Sequence, residues 1–176
     1  RQMCIRDRQT PERVILIDGE HRISCRILRE RAHALAQSML SRMPQGSVVS
    51  FMLPNWHEAA IVYLAATLAG MVAHPILPSL RKQELSFMLR DVASRMIFIP
   101  AEFRGHDYPA MLAETCAALD VPPLVVVVRG AAGAGQTALE SLRAADPADL
   151  PTLDPDAVRM ILYTSGTTGT PKGVMH

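Results

Sequence analysis

The sequence predicts an α/β fold, a mostly parallel sheet flanked by helices on both faces and preceded by an N-terminal hairpin. Two patterns predict it. Short apolar runs alternate along the chain with longer segments whose apolar residues recur at three-and-four spacing, the signature of strand and amphipathic helix in succession. The run at residues 124–128, LVVVV, is apolar at every position, which suits a central strand covered on both faces rather than one with a wet side. Right-handed crossovers are then expected between parallel neighbours.

The elements follow in order. Residues 14–17 form an apolar run, Asp18-Gly19 can turn the chain, and Ile23 lies in a returning strand, so a hairpin is expected. Ser24 is placed to cap a helix over residues 26–43. There Leu28, Ala32, Leu35, Ala36, Met39 and Leu40 share one face, and Arg29, Glu30, His33 and Gln37 the other. Pro44 and Gly46 end it, and a strand follows at residues 48–53. A helix apolar all round is expected from Trp56 to a stop at Gly70, then a strand near residues 72–77. A helix over residues 81–92 buries Leu85, Met88, Leu89 and Val92, and leads to a strand at 96–99. Pro109 suits the first turn of a helix over 109–119, and the strand at 124–128 comes next. Residues 144–155 are rich in Ala, Asp and Pro and, with the glycines at 130–135, read as a mobile surface connection. A last strand, 158–163, delivers the chain to a glycine-rich segment.

Composition narrows the function. A length of 176 residues suffices for one core or for part of a larger domain, and 49% hydrophobic residues imply much surface to be buried. A net charge of +1 with 5% aromatic residues offers neither the basic patch nor the stacking rings of a nucleic-acid surface, so no nucleic-acid partner is expected. Cys4, Cys25 and Cys116 are odd in number and far apart, a pattern of free thiols in a reducing, cytoplasmic setting. The six histidines show no paired ligand spacing, and no metal site is assigned. Residues 59–80 lack Asp, Glu, Lys and Arg, but Gly70, His74, Pro75 and Pro78 interrupt them, so a buried helix leading into a strand is expected rather than a membrane span. The GAAGAG run at residues 130–135 has glycine spacings in the reverse order of a dinucleotide fingerprint. No signal or transit peptide is recognisable, and RQMCIRDR at residues 1–8 has neither apolar period nor turn logic, so it is expected to be unstructured or foreign.

The chemistry concentrates in residues 162–176, LYTSGTTGTPKGVMH. Glycines allow close approach to a ligand, and hydroxyls, backbone N–H groups and one lysine supply donors and charge for anionic oxygens. Only two of the chain's 18 basic residues are lysines, Lys82 and Lys172, and one stands in this segment. A compact ammonium on a flexible stem follows a phosphate oxygen where a guanidinium imposes its fork. The order of residues excludes a Walker A loop. Counting from Gly166, the position that needs glycine is Pro171, and Lys172 is followed by Gly173 rather than Ser or Thr.

Residues 163–173, YTSGTTGTPKG, meet every position of the pattern [YF]-T-S-G-[ST]-T-G-x-P-K-G and so resemble the signature loop of the adenylate-forming (AMP-binding) enzymes, most like the acyl-CoA synthetases. The resemblance extends more loosely upstream through the hairpin, the helix with Leu35-Ala36 and the apolar helix that precedes Pro75. It implies that residues 9–176 are a partial N-terminal AMP-binding domain ending at the phosphate loop. It implies a two-step reaction as well. A carboxylic acid attacks the α-phosphate of Mg2+-ATP to give an acyl-adenylate and pyrophosphate, and coenzyme A then takes the acyl group. Thr164, Ser165, Gly166, Thr167, Thr168, Gly169 and Lys172 would hold the departing phosphates. The family's later motifs, including its catalytic lysine, are not in these residues. No catalytic residue is therefore assigned, and the chain is expected to be inactive alone. A peptide-synthetase adenylation domain, or a nucleotide-binding module that has lost the reaction, carries the same segment. The acid and the oligomeric state are not legible.

Overall fold

The computed structural model describes residues 9–142, 149–164 and 171–176. A five-stranded parallel sheet runs in the order β4-β3-β5-β8-β9, with β3 at Val48–Phe51, β4 at Val72–Pro75, β5 at Met96–Pro100, β8 at Leu124–Val128 and β9 at Thr137–Ala138. Among the described residues, four α-helices join its strands or lead into it: α1 (Cys25–Leu40), α2 (His57–Leu68), α3 (Lys82–Asp91) and α4 (Tyr108–Ala117). Antiparallel hairpins surround it: β1 (Val14–Asp18) with β2 (His21–Ser24), the short β6 (Glu102–Phe103) with β7 (His106–Asp107), and β10 (Ile161–Thr164) with β11 (Lys172–Met175).

Alternation along the strands sorts the core into two halves. Val49, Phe51, Met96, Phe98, Val126 and Val128 pack with Leu28, Leu35, Met39, Ile61 and Val62 of α1 and α2. Their neighbours Ile97, Ile99, Val125 and Val127 pack with Leu85, Met88, Leu89 and Leu112 of α3 and α4. Helices thus cover both faces, as the apolar runs predicted, and every residue of β5 is buried. Residues 125–128 are buried too, with Leu124 half-buried, but β5 is the middle strand, and among the described residues only the two-residue β9 flanks β8 on its outer side.

Most boundaries follow from local chemistry. The Ser24 hydroxyl accepts from Ile27 N–H at 3.3 Å and opens α1, and Asp107 caps α4 through Ala110 N–H at 2.9 Å with Pro109 in the first turn. The first helix ends at Leu40, three residues before the expected limit, and its last carbonyls are met by the turn at Ser41, Arg42 and Met43. At Gly70, φ of 66° stops the chain just after α2. That helix is less uniformly buried than an all-apolar reading implies: Tyr63 is 39% exposed, while His57 and Glu58 at its start are buried.

Residues 130–135 form a connection outside regular structure, as expected, but the short β9 that follows and adds a parallel edge to β8 was not expected. The last strand begins later than residue 158, because residues 154–157 turn (Ala157 N–H to Asp154 O, 3.4 Å) and the first sheet contact is the parallel bridge of Met160 to Ala73. The expected connection at 144–155 lies partly, and residues 1–8 wholly, outside the described residues. No helix among the described residues is long and apolar enough to cross a membrane.

A polar column is buried within this core. Ser94 Oγ donates to Met96 O at 3.1 Å, Ser50 Oγ lies 2.8 Å from Ser94 Oγ, and His74 Nδ1 lies 2.9 Å from Ser50 Oγ. Burial pushes the His74 imidazole down to about 4 from its ordinary 6.5, against the opposing pull of the Asp91 carboxylate. The unfolded chain therefore takes up a proton on this ring below about pH 6.5, and the folded one does not until about pH 4. Stability conferred by the neutral ring is full above that window and falls through it as pH drops, by roughly 2 to 3 kcal/mol in all. Urea denaturation between pH 7 and pH 4 is expected to show that loss, and His74→Gln to flatten it.

Candidate phosphate-binding site

The site is organised by the direction of the sheet's crossovers. The connection leaving β3 turns to β4 on one side, and the one leaving β5 turns to β8 on the other. Open parallel sheets take ligands in the crevice outside the carboxyl ends of such strands. A cavity of about 820 Å3 lies there. Phe51 and Pro75, the last residues of β3 and β4, reach it, as do Ile76, Tyr108 and, from the β10–β11 hairpin, Tyr163 and Thr164.

The hairpin holds two of the seven residues that the sequence assigns to phosphate. Thr164 ends β10 and Lys172 begins β11, directly opposite each other in register, and both are exposed. An exposed hydroxyl and an ammonium thus stand side by side at the mouth of the segment that joins them. Ser165, Gly166, Thr167, Thr168 and Gly169 lie outside the described residues. The two lysines differ in their surroundings: Lys82 Nζ sits 3.0 Å from Glu114 and ties α3 to α4, whereas Lys172 stands at the strand end beside Thr164.

Sequence reasoning missed the residues that support this end of the molecule. Asp18 of β1 accepts from His57 N–H at 3.1 Å and lies 2.9 Å from His57 Nδ1, which Arg129 also faces at 3.1 Å, while Arg31 faces the other ring nitrogen at 3.5 Å. Arg129, just past β8, binds Glu58 through two hydrogen bonds of 2.8 and 2.7 Å, also binds Asp18, and lies over the Trp56 ring at 4.1 Å. To reach them its backbone takes φ of 58°, an uncommon value for a side-chain-bearing residue. Burial alone would raise the Asp18 carboxyl, but the Arg129 and His57 hydrogen bonds hold it far below the usual carboxylate range. Asp18, His57 and Glu58 offer three ligand-type atoms within 4.8 Å of one another, a grouping that histidine spacing alone did not reveal. The Arg129 guanidinium bridges both carboxylates and supplies the positive charge they require.

A sequence model of the AMP-binding enzyme family matches residues 5–176. The chain belongs to that family. Among relatives, the medium-chain fatty-acid–CoA ligase of Escherichia coli (strain K12) is 31% identical over 173 residues, covering 96% of this chain and 31% of the relative. A linear gramicidin synthase of Brevibacillus parabrevis is 30% identical over 171 residues, 97% of this chain and 3% of the relative. The crystal structure of the anthranilate CoA ligase AuaEII in complex with anthranoyl-AMP superposes with a TM-score of 0.87 at 18% identity, over 99% of this chain and 34% of that one, a likeness of fold. The chain spans about a third of the length of the ligase relatives it matches first.

Removing Arg129 leaves Asp18 and Glu58 as neighbouring, half-desolvated carboxylates. The Arg129→Met protein is expected to lose about 1 to 3 kcal/mol, below the cost of breaking a fully buried pair because the guanidinium is partly exposed. In a urea titration Arg26→Met, which breaks the exposed pair with Glu12, should leave the midpoint where it is.

Proposed function

We propose that the protein carrying this chain is an ATP-dependent acid–thiol ligase. It joins a carboxylic acid to AMP with release of pyrophosphate, then passes the acyl group to coenzyme A. The observation that carries this reading is the eleven-residue signature at 163–173, whose Thr164 lines the cavity at the carboxyl edge of a parallel sheet with Lys172 opposite it in register. The acid we favour is a fatty acid, from the E. coli relative and from the apolar walls that Phe51, Ile76 and Met88 give the cavity.

The donor set fits a polyphosphate. In the adenylation step negative charge builds on the β- and γ-phosphates as they leave, and donors already fixed near them stabilise it without reorganising. Thr164 would donate its hydroxyl, and the Lys172 ammonium would offset the growing charge. Ser165, Thr167 and Thr168 add hydroxyls, and Gly166 and Gly169 let the backbone approach the phosphates. Mg2+ enters with ATP and supplies further charge neutralisation; no residue of this chain is assigned as its ligand. Carboxylate activation needs groups besides these, and we infer that the 176 residues alone do not turn over.

A peptide-synthetase adenylation domain is the second reading, favoured by the similarity to the linear gramicidin synthase. It shares the first step and differs in the thiol that accepts the acyl group. Thioester formed on free coenzyme A supports the first reading, and acyl transfer only to a carrier protein supports the second.

In the intact protein, Lys172→Ala is expected to slow acid-dependent ATP–pyrophosphate exchange by roughly ten- to a hundredfold, the worth of one charge-assisted bond. Lys82→Ala should stay near the parent rate. Equal rates in the two variants would remove Lys172 from the phosphate site.

A further inference from the structure

Tyr163 precedes Thr164 and is held on several sides. Its ring packs against His74 of β4, with centroids 5.3 Å apart, and meets Phe87 of α3 edge-on at 6.3 Å. Across the hairpin it faces Gly173 in register, and a Cβ on Gly173 would lie 3.3 Å from Tyr163 Cζ and 3.2 Å from Ile161 Cγ2. The glycine leaves room for the ring to lie across the strand pair. The phenol then donates a hydrogen bond to Asp91 Oδ2.

Asp91 is an odd residue for its position. It is the last residue of α3, where the helix dipole disfavours negative charge, and Arg90 beside it is the residue type that end of a helix prefers. The carboxylate is instead used outside its own helix. Burial, with the Asp91 hydrogen bond and charge, holds the Tyr163 phenol above its usual range, so the donor keeps its proton throughout the working range of pH.

We propose that Asp91 and the Tyr163 hydroxyl form a pin that fixes the base of the β10–β11 hairpin to the end of α3, making both positioning residues for Thr164 and Lys172. The pin joins the hairpin to a helix rooted in the core through Leu85, Met88 and Leu89. Neither side chain need touch ATP. Its consequence for the reaction rests on the ligase reading above; its mechanical part does not.

The test uses the intact protein with Tyr163→Phe, Asp91→Ala and the double variant. Tyr163→Phe keeps the ring contacts with His74 and Phe87 and removes only the bond. Amide hydrogen exchange at residues 161–164 and 172–175 is expected to quicken in each single variant, by roughly three- to tenfold for one lost hydrogen bond. The KM for ATP should rise by a similar factor while the KM for the acid and the thermal midpoint stay put. In the double variant both effects should match those of either single one, because one bond is lost in all three. Unchanged hydrogen exchange overturns the pin whatever the protein's reaction. Faster exchange with an unchanged KM for ATP, or additive effects in the double variant, overturns its positioning role. A parent protein that catalyses no acid-dependent ATP–pyrophosphate exchange defeats the ligase reading instead, and the hydrogen-exchange comparison still decides the pin.

Discussion

A parallel sheet with helices on both faces leaves its strands no wet side, and that constraint organises everything else in this chain. Each strand must offer apolar side chains in both directions, as Met96, Ile97, Phe98 and Ile99 do. Helices must then supply two separate apolar layers, one from α1 and α2 and one from α3 and α4. Backbone polar groups within the layers are satisfied strand to strand. Only the ends of the strands remain to meet solvent or a ligand, and the crevice at their carboxyl ends is where the cavity and the β10–β11 hairpin lie.

Polar side chains that enter this architecture bond one another, although the Nε2 of His74 is buried without a hydrogen-bond partner among the described residues. Ser50, Ser94 and His74 bond one another inside the sheet, with His74 kept neutral by burial. Asp18, His57, Glu58 and Arg129 tie the N-terminal hairpin, the start of α2 and the end of β8 into one charged cluster. Both groups do the same physical work. They join segments far apart in sequence through hydrogen bonds that one orientation of those segments satisfies, and so set the frame against which the hairpin is held.

Much of this was legible beforehand, for particular reasons. The strand and helix pattern is written in apolar spacing, the helix starts in Ser24 and Pro109, and the stop of α2 in Gly70. The signature at 163–173 is a local string, so order alone separated it from a Walker A loop. What escaped was non-local. Nothing near Arg129 in sequence points to Asp18, 111 residues away, or to Glu58, 71 residues away. Nothing near Asp91 in sequence points to Tyr163, 72 residues away. The edge strand β9 escaped as well, because two residues carry too little periodicity to announce a strand. Of the assigned phosphate residues, Thr164 and Lys172 lie together at one hairpin, while Ser165, Gly166, Thr167, Thr168 and Gly169 fall outside the described residues.

The central claim is a choice of bond. A ligase of the proposed kind breaks ATP between the α- and β-phosphates, whereas a kinase or an ATPase breaks it between β and γ. Incubating the intact protein with ATP labelled in the adenosine, a panel of carboxylic acids and coenzyme A, and resolving the nucleotide products, reads that choice directly. The account predicts acid-dependent AMP with matching pyrophosphate and acyl-CoA. ADP and inorganic phosphate, formed with or without an acid, would contradict it.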